Sequence, residues 1–523
     1  MKYCFDIESN GLLKETTEIH CIVSKDIDTG EVYTEPVPEA LQRLKDAELI
    51  IGHNIIKFDI PVLRKLHGFK TKANIFDTLI ATRLIYPDIA GTDFAKQNFP
   101  RDCIGRHSLK AWGYRIGNYK GDYQGGFDIF TKEMLEYCVQ DVEVTTALWI
   151  RIQQAGYSRQ AMELEHKVVT TIHEQEQHGF SFNVKKAQEL SAVLNARLFD
   201  LNEELQTVFP PKLVRTPFTP KGNNKTRGYV KGVPTFKEKI VPFNPASRQH
   251  IADRLTGLHK WEPVEFTADG KPKLDDAILS SLPYPEAKPL AEHFLLEKRI
   301  AQIANGKQAW LKCEVDGRIH GNCNTNSTVT GRASHTNPNL AQVPGVSVPY
   351  GRECRSLFTV SPGNKLVGID VSGLEVRMLA HYMAKYDDGK YADVVLNGDI
   401  HTETQKLAGL NSRDLAKRFY YCFLYGGGVK KIAQVTGKSV HEASKVKKRF
   451  LNNLPALNTL IENVQLAAAR GYLIGLDKRN VKVRSPHAAL NTLLQSGGAI
   501  VCKQWLIEFD TAVAKYPDVQ QVV

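Results

Sequence analysis

The sequence predicts an α/β domain at the N-terminus followed by a larger, mostly helical α+β portion. Three observations predict it. The first 155 or so residues alternate short apolar runs with helical patterns, residues 161–208 read as long helix, and the composition breaks sharply at 210–242. At roughly 150 residues per domain, the 523 residues suggest three or four domains. With 42% apolar and 24% charged residues the chain can build several cores, which excludes a disordered chain, a fibrous repeat and a small disulfide scaffold.

The elements follow in order. Tyr3–Ile7, Ile19–Val23 and Leu49–Gly52 read as strands, and Thr131–Ile152 as a helix. From Ala161 to about Val208 the pattern is helical and rich in Glu, Gln, Leu and Ala. Residues 210–242 hold six prolines, three glycines and eight Lys or Arg against one acid, Glu238, which reads as an exposed basic loop or small insertion. A helical segment runs to about Trp310. A mixed region follows with a strand-like Lys365–Asp370, then helices from His401 to about Arg470 and a strand-like end at Val519–Val523.

Charge and cysteine usage narrow the partners. Sixty-eight Lys plus Arg against 57 Asp plus Glu leave a net charge of +11, which fits a polyanion such as nucleic acid. The nine cysteines are scattered and never spaced C-x-x-C, so they read as reduced thiols in a cytoplasmic protein. Asp6 and Glu8 interrupt any secretory leader. The uncharged run Ser485–Cys502, with His487, Asn491, Thr492 and Gln495, is too polar to span a membrane. Two tempting motifs fail. His173 and His178, five apart, diverge by about 140° on a helix and cannot share a zinc ion. Gly437-Lys438-Ser439 lacks the leading glycine of a phosphate loop, because Ile432 stands there.

Asp6 and Glu8 lie at i and i+2, so a strand places both on one face roughly 7 Å apart. Such a pair can share two divalent ions about 4 Å apart, the arrangement that hydrolyses phosphodiesters. Asp59 is an isolated acid after the apolar run Ile55-Ile56-Lys57-Phe58. Tyr137 and Asp141, at i and i+4, share a helix face where an acid can ligate metal and a phenol can orient water. Asp77 is a further acid, read as structural. In this order the residues resemble the three motifs of the DnaQ-like 3′→5′ proofreading exonucleases. The resemblance implies a ribonuclease-H-like fold, with Asp6, Glu8, Asp59 and Asp141 as metal ligands and Tyr137 orienting the water.

Arg413, Lys417, Tyr421 and Tyr425 recur every four residues. Each step drifts only about 40° around a helix, so they form one stripe, with cations for a triphosphate and aromatics for a base. Gly426-Gly427-Gly428 then stops the helix. Asp370-Val371-Ser372-Gly373-Leu374-Glu375 ends an apolar run with a carboxylate beside a main-chain carbonyl. These segments resemble motifs A and B of the family A DNA polymerases. Thr330-Gly331-Arg332, Asp399-Ile400-His401 and the Arg484–Asn491 run resemble further family segments, most of all those of short-tailed bacteriophage replicative enzymes.

The resemblance implies a DNA-directed DNA polymerase of viral DNA replication with a proofreading exonuclease. Its parts would be an exonuclease domain at 1–155, a thumb at 156–310 with a short basic insertion at 210–242, palm at 311–400, fingers at 401–480, and an incomplete C-terminal palm part at 481–523. Asp370 and the Val371 carbonyl would hold metal. His401, Arg413 and Lys417 would bind the triphosphate, and Tyr421 and Tyr425 would pack at the nascent base pair. Glu375 would exclude a ribose 2′-hydroxyl, and a tyrosine at 421 implies tolerance of dideoxynucleotides. Arg332, Asn491 and Gln495 would track the minor groove of primer–template DNA. The cofactor would be Mg²⁺, two ions at each site, with Mn²⁺ substituting; the partners would be primer–template, single-stranded DNA and dNTPs, in the host cytoplasm for a phage gene.

Two departures bear on this. Phage members carry a larger thumb insertion that recruits a thioredoxin as processivity factor, whereas the 33 residues Pro210–Pro242 suggest a basic DNA-contacting loop. The family's His-Asp-Glu motif C should follow the late palm helix, and no Asp-Glu dipeptide occurs in the 523 residues. The expectation is therefore poor primer extension unless a separate C-terminal polymerase fragment completes the palm. The alternatives are an exonuclease whose second half only grips primer–template and dNTP, and a non-enzymatic DNA-binding module.

Overall fold

The computed structural model describes residues 1–522 apart from 120, 122, 264 and 268. The chain forms two compact units, one of residues 1–178, 323–335 and 367–523, the other of residues 179–322 and 336–366.

The first unit begins with a five-stranded sheet. Its strands are β1 (Lys2–Ser9), β2 (Ile19–Asp26), β3 (Val32–Tyr33), β4 (Leu49–Gly52) and β5 (Asn74–Asp77), in the order β3-β2-β1-β4-β5. β1 runs antiparallel to β2 and parallel to β4. It is central and buried almost throughout, which is why its apolar residues run on instead of alternating. Tyr3, Phe5 and Ile7 pack with the Val37–Lys45 and Asp59–His67 helices on one side. Cys4, Val23 and Ile51 meet Cys138 and Val142 of the Lys132–Gln154 helix on the other. Burying one such large side chain contributes about 1.5–3 kcal/mol.

The helices after residue 373 share a second core. The Arg413–Leu424 helix buries Ala416, Phe419, Tyr420, Phe423 and Leu424, and Phe450 meets Phe419 and Phe423 edge-on at 5.3 and 5.4 Å. Tyr420 is anchored by a 2.6 Å hydrogen bond between its hydroxyl and that of Tyr391. Gly437 closes one helix with φ 65°, and Ser439 opens the next with a capping box to Glu442, so the phosphate-loop look-alike is a helix junction.

A buried ionic quartet ties distant parts of this unit together. Arg479 donates to Asp477 (2.6 Å) and to Glu165 (2.8 Å), and Lys503 donates to Glu165 (2.5 Å), with all four side chains almost fully enclosed. Burial holds the Lys503 pKa below its ordinary value. Gly331, at φ +78°, lies against the Arg479 guanidinium, where an added Cβ would sit 2.7 Å from Nη1. Glu165→Gln strips the carboxylate that both cations share. The expected result is a loss of about 3–5 kcal/mol, read as a lower thermal midpoint; an unchanged midpoint would show that the quartet contributes nothing net.

The second unit packs the Val184–Val208, Arg248–His259 and Ala287–Ile300 helices around Leu194, Leu201, Leu255, Leu290 and Trp310. The long helical pattern from Ala161 to Val208 is two helices, parted at Gly179. That residue has φ +66°, and a Cβ there would lie 2.7 Å from His320 Nδ1 and 2.9 Å from the Ile319 carbonyl. The basic stretch at 210–242, an exposed basic loop or small insertion by its composition, is an exposed β-hairpin, Lys212–Phe218 with Thr235–Val241. Its register sorts the side chains. Lys212, Val214, Thr216, Phe218, Lys237 and Lys239 share one face, and Leu213, Pro217, Phe236 and Ile240 share the other with the Arg215–Glu238 pair.

Lys365–Asp370 is not a strand. It runs irregularly, and Leu366, Val367 and Ile369 are exposed, because a strand needs a hydrogen-bonded neighbour and none pairs with it among the described residues. Val519–Val522 likewise form no strand, and Val523 lies outside the described residues.

Candidate active sites

β1 carries the first acids. Asp6 and Glu8 alternate with buried Phe5 and Ile7, so the pleat turns both carboxylates to one face, toward the Lys132–Gln154 helix. Donor atoms of Asp6, Glu8 and Cys138 lie within 4.8 Å of one another. Asp59 opens the helix after β4, and its carboxyl lies near the Ile7 N–H, between the two β1 acids. Burial pushes its pKa up to about 8, and Asp77 and Glu8 add repulsion. Asp141 is buried on the same helix as Tyr137, one turn away, and the Tyr137 ring lies 5.6 Å from that of Tyr123. Asp6, Glu8 and Asp59 repel one another in a partly dry setting, and a divalent cation among them would relieve the repulsion; their oxygens fit hard ions. Asp77 has a different task. It caps the Thr78–Ile85 helix through Leu79 N–H (2.9 Å) and accepts from the N–H groups of Asn54 (2.9 Å) and Ile56 (3.2 Å), fixing the loop that delivers Asp59.

Sequence reasoning missed a neighbouring cavity of about 600 Å³. Its lining includes His53, Asn54, Arg83, Arg106, His107 and Asn324, and among the described residues no carboxylate lines it. Arg83 donates to Asn324 Oδ1 (3.2 Å), and burial, with the nearby Arg83 and Arg115, pushes His107 down to about 3. The Arg106-His107 pair was the available signal, but only the fold brings Arg83 and Asn324 beside it.

The second site gathers the later motifs. On the Arg413–Leu424 helix the buried Phe419–Tyr420 side leaves Arg413 and Lys417 exposed on one stripe that continues to Tyr421 and Tyr425. The Tyr421 and Tyr425 rings stack at 6.4 Å, and His401 lies 5.6 Å from Tyr421. Asp399 caps the Ile400–Ala408 helix and grips Arg413 at 2.6 Å, which holds the Asp399 carboxyl well below its ordinary range. Arg332 reaches Glu375 at 3.9 Å in the first turn of the Leu374–Asp387 helix. With Gln495 they line a cavity of about 260 Å³. Gln495 donates to Asn491 (3.1 Å), and a Cβ on Gly426 would come within 4.0 Å of Asn491. Asp370 and Val371 sit on the irregular segment that leads into Glu375, with Asp370 close enough to act on the Cys502 thiol.

Residues 233–523 match the family described as DNA polymerase family A. The chain belongs to DNA polymerase family A. That membership makes it a nucleotidyltransferase that synthesises DNA. This family A polymerase is 37% identical to the DNA-directed DNA polymerase of Enterobacteria phage T3, over 96% of this chain and 89% of the relative. The figures are the same for that of Escherichia phage T7. It is 24% identical to DNA polymerase I of Treponema pallidum, over 96% of this chain and 49% of that one. Its fold is similar to that of the POL domain of Pol1 from M. smegmatis, solved with DNA primer-template and dNTP. That match has a TM-score of 0.70 and 18% identity, and covers 98% of this chain and 86% of the other.

Proposed function

We propose that this family A polymerase adds dNTPs to a primer on a DNA template at the second site, removes 3′ nucleotides at the first, and serves viral DNA replication in a host cytoplasm. The observation that carries the nuclease part is the approach of Asp59, at the start of its helix, to Asp6 and Glu8 of β1, with Asp141 buried on the Lys132–Gln154 helix that carries Cys138. Bound divalent ions, Mg²⁺ or Mn²⁺, would supply charge stabilisation on the attacking and leaving oxygens. The four carboxylates hold them, and Tyr137 orients the attacking water. The basic cavity beside them, with Arg83 and Arg106, takes the phosphates of the incoming single strand.

At the polymerase site, Arg413, Lys417 and His401 hold the triphosphate, and Tyr421 and Tyr425 offer stacking faces to the new base pair. Glu375, braced by Arg332, stands where a ribose 2′-hydroxyl would project. Asp370 and the Val371 carbonyl would hold the ion together with oxygens of the substrate triphosphate, and it would supply charge stabilisation there. Arg332, Asn491 and Gln495 read the minor groove without sequence preference. Digestion of 3′-labelled single strands and primer extension, each in Mg²⁺, test the two activities separately.

The Lys-bearing face of the hairpin is read as a further DNA contact. Changing Lys212, Lys237 and Lys239 to Gln should lower the salt dependence of primer–template binding by about 2.7, at 0.9 per lost phosphate contact. An unchanged slope of log affinity against log salt would remove the hairpin from the DNA interface.

A further inference from the structure

Behind the nuclease carboxylates lie two thiols. Cys138 is fully buried, and its Sγ approaches Asp6 Oδ2 at 3.8 Å. Cys21 stands opposite Glu8 in the β1–β2 register, and its thiol is near enough to that of Cys138 for each to act on the other. Asp6, Glu8 and Cys138 already have their donor atoms within 4.8 Å of one another. A tetrahedral zinc ion with sulfur and oxygen ligands needs donors about 3.5 Å apart, so a small closing movement suffices. Asp6 is only half-buried, which leaves an approach from solvent.

We propose that Asp6, Glu8, Cys138 and Cys21 form a mixed sulfur–oxygen site that takes a thiophilic divalent cation, zinc foremost, in place of the hard ion that the carboxylates alone would hold. Thiolates select zinc over Mg²⁺, which keeps to oxygen. Each thiol that coordinates gives its proton to water, so binding tightens as pH rises. The site then has two occupants with opposite consequences. Mg²⁺ leaves the carboxylates to the nuclease reaction, and zinc draws Asp6 and Glu8 toward the thiols and idles it. The inference deepens the reading of Asp6 and Glu8 as metal ligands.

Cobalt(II) titrated into the purified full chain is the probe. The expected result is the near-ultraviolet charge-transfer band of a cobalt–thiolate bond, abolished by one equivalent of zinc. Cys138→Ser, close in size, should cut the band roughly in half and weaken zinc about 100-fold, at least what loss of an outer-shell partner costs, and Cys138→Ser with Cys21→Ser should remove the band. Should that variant fail to fold, cadmium NMR of the unaltered chain counts the bound thiolates instead. A cobalt complex with no thiolate band, a band unchanged in Cys138→Ser, or a cadmium shift of an all-oxygen site would each overturn the proposal. If Mg²⁺-dependent digestion is present but the band is missing, the thiol site falls and the nuclease reading stands. If the band depends on Asp6 and Cys138 but no digestion occurs, the thiol site stands and the nuclease reading falls.

Discussion

Digestion of single-stranded DNA from 3′ ends is expected to fall about a thousandfold or more when Asp6 and Glu8 are both replaced by alanine. The two carboxylates share one face of β1, and the Asp59 carboxyl lies near the Ile7 backbone between them. Without them Asp59 and Asp141 are left to capture ions alone. Burial still disfavours the charged form of Asp59, so with fewer neighbouring ligands it binds metal poorly. Stability should move the other way, because removing Asp6 and Glu8 relieves their repulsion of each other and of buried Asp59; the double variant should melt no lower than the parent. Asp77→Ala makes the contrasting case. It deletes a helix cap and two hydrogen bonds to the Asn54–Ile56 loop, so activity and thermal midpoint should fall together. Undiminished digestion by the Asp6→Ala, Glu8→Ala chain would remove the nuclease assignment.

The second large effect is expected at the stripe on the Arg413–Leu424 helix. Arg413→Ala with Lys417→Ala should weaken dNTP binding to a complex with dideoxy-terminated primer–template by about a thousandfold, since two charge-assisted phosphate contacts are lost. The measurement is the dNTP concentration that protects the ternary complex against challenge DNA, which reads binding without needing chemistry. Arg413 is at present gripped by Asp399, so the triphosphate has to share or displace that carboxylate. Asp399→Asn should therefore tighten dNTP binding modestly while weakening the cap of the following helix. Because Phe419, Tyr420 and Phe423 anchor the opposite face, the alanine pair should leave the melting midpoint nearly unchanged. If dNTP protection survives the double substitution, the triphosphate lies elsewhere.

Periodicity is what made the two sites readable before any fold. Asp6 and Glu8 two apart on a strand, Tyr137 and Asp141 four apart on a helix, and the four-residue stripe from Arg413 to Tyr425 each follow from local backbone geometry. A sequence displays that geometry directly. Cys138 escaped notice for the converse reason. Its neighbour Tyr137 drew the motif, and nothing within a helical turn says that the next side chain is buried against Asp6.

By itself, then, the sequence determined the strands β1, β2 and β4, the Lys132–Gln154 helix, the helical run after residue 400, and the spacing of acids and cations within each. Those features depend on residues no more than a few positions apart. Tertiary structure alone decided the rest. It broke the 161–208 helix at Gly179, where the chain leaves helical geometry at φ +66° against the His320 ring and the Ile319 carbonyl, a turn only a glycine fits. It folded the proline-rich 210–242 stretch into a hairpin with unlike faces, a matter of cross-strand register. Lys365–Asp370, despite its apolar composition, was left out of any sheet, since a strand exists only where a neighbour bonds to it. Glu165 met Arg479 and Lys503 across more than three hundred residues, and Cys21 was placed behind Glu8. Burial and charge pairing depend on which distant groups share a low-dielectric space, and that is settled only when the chain has packed.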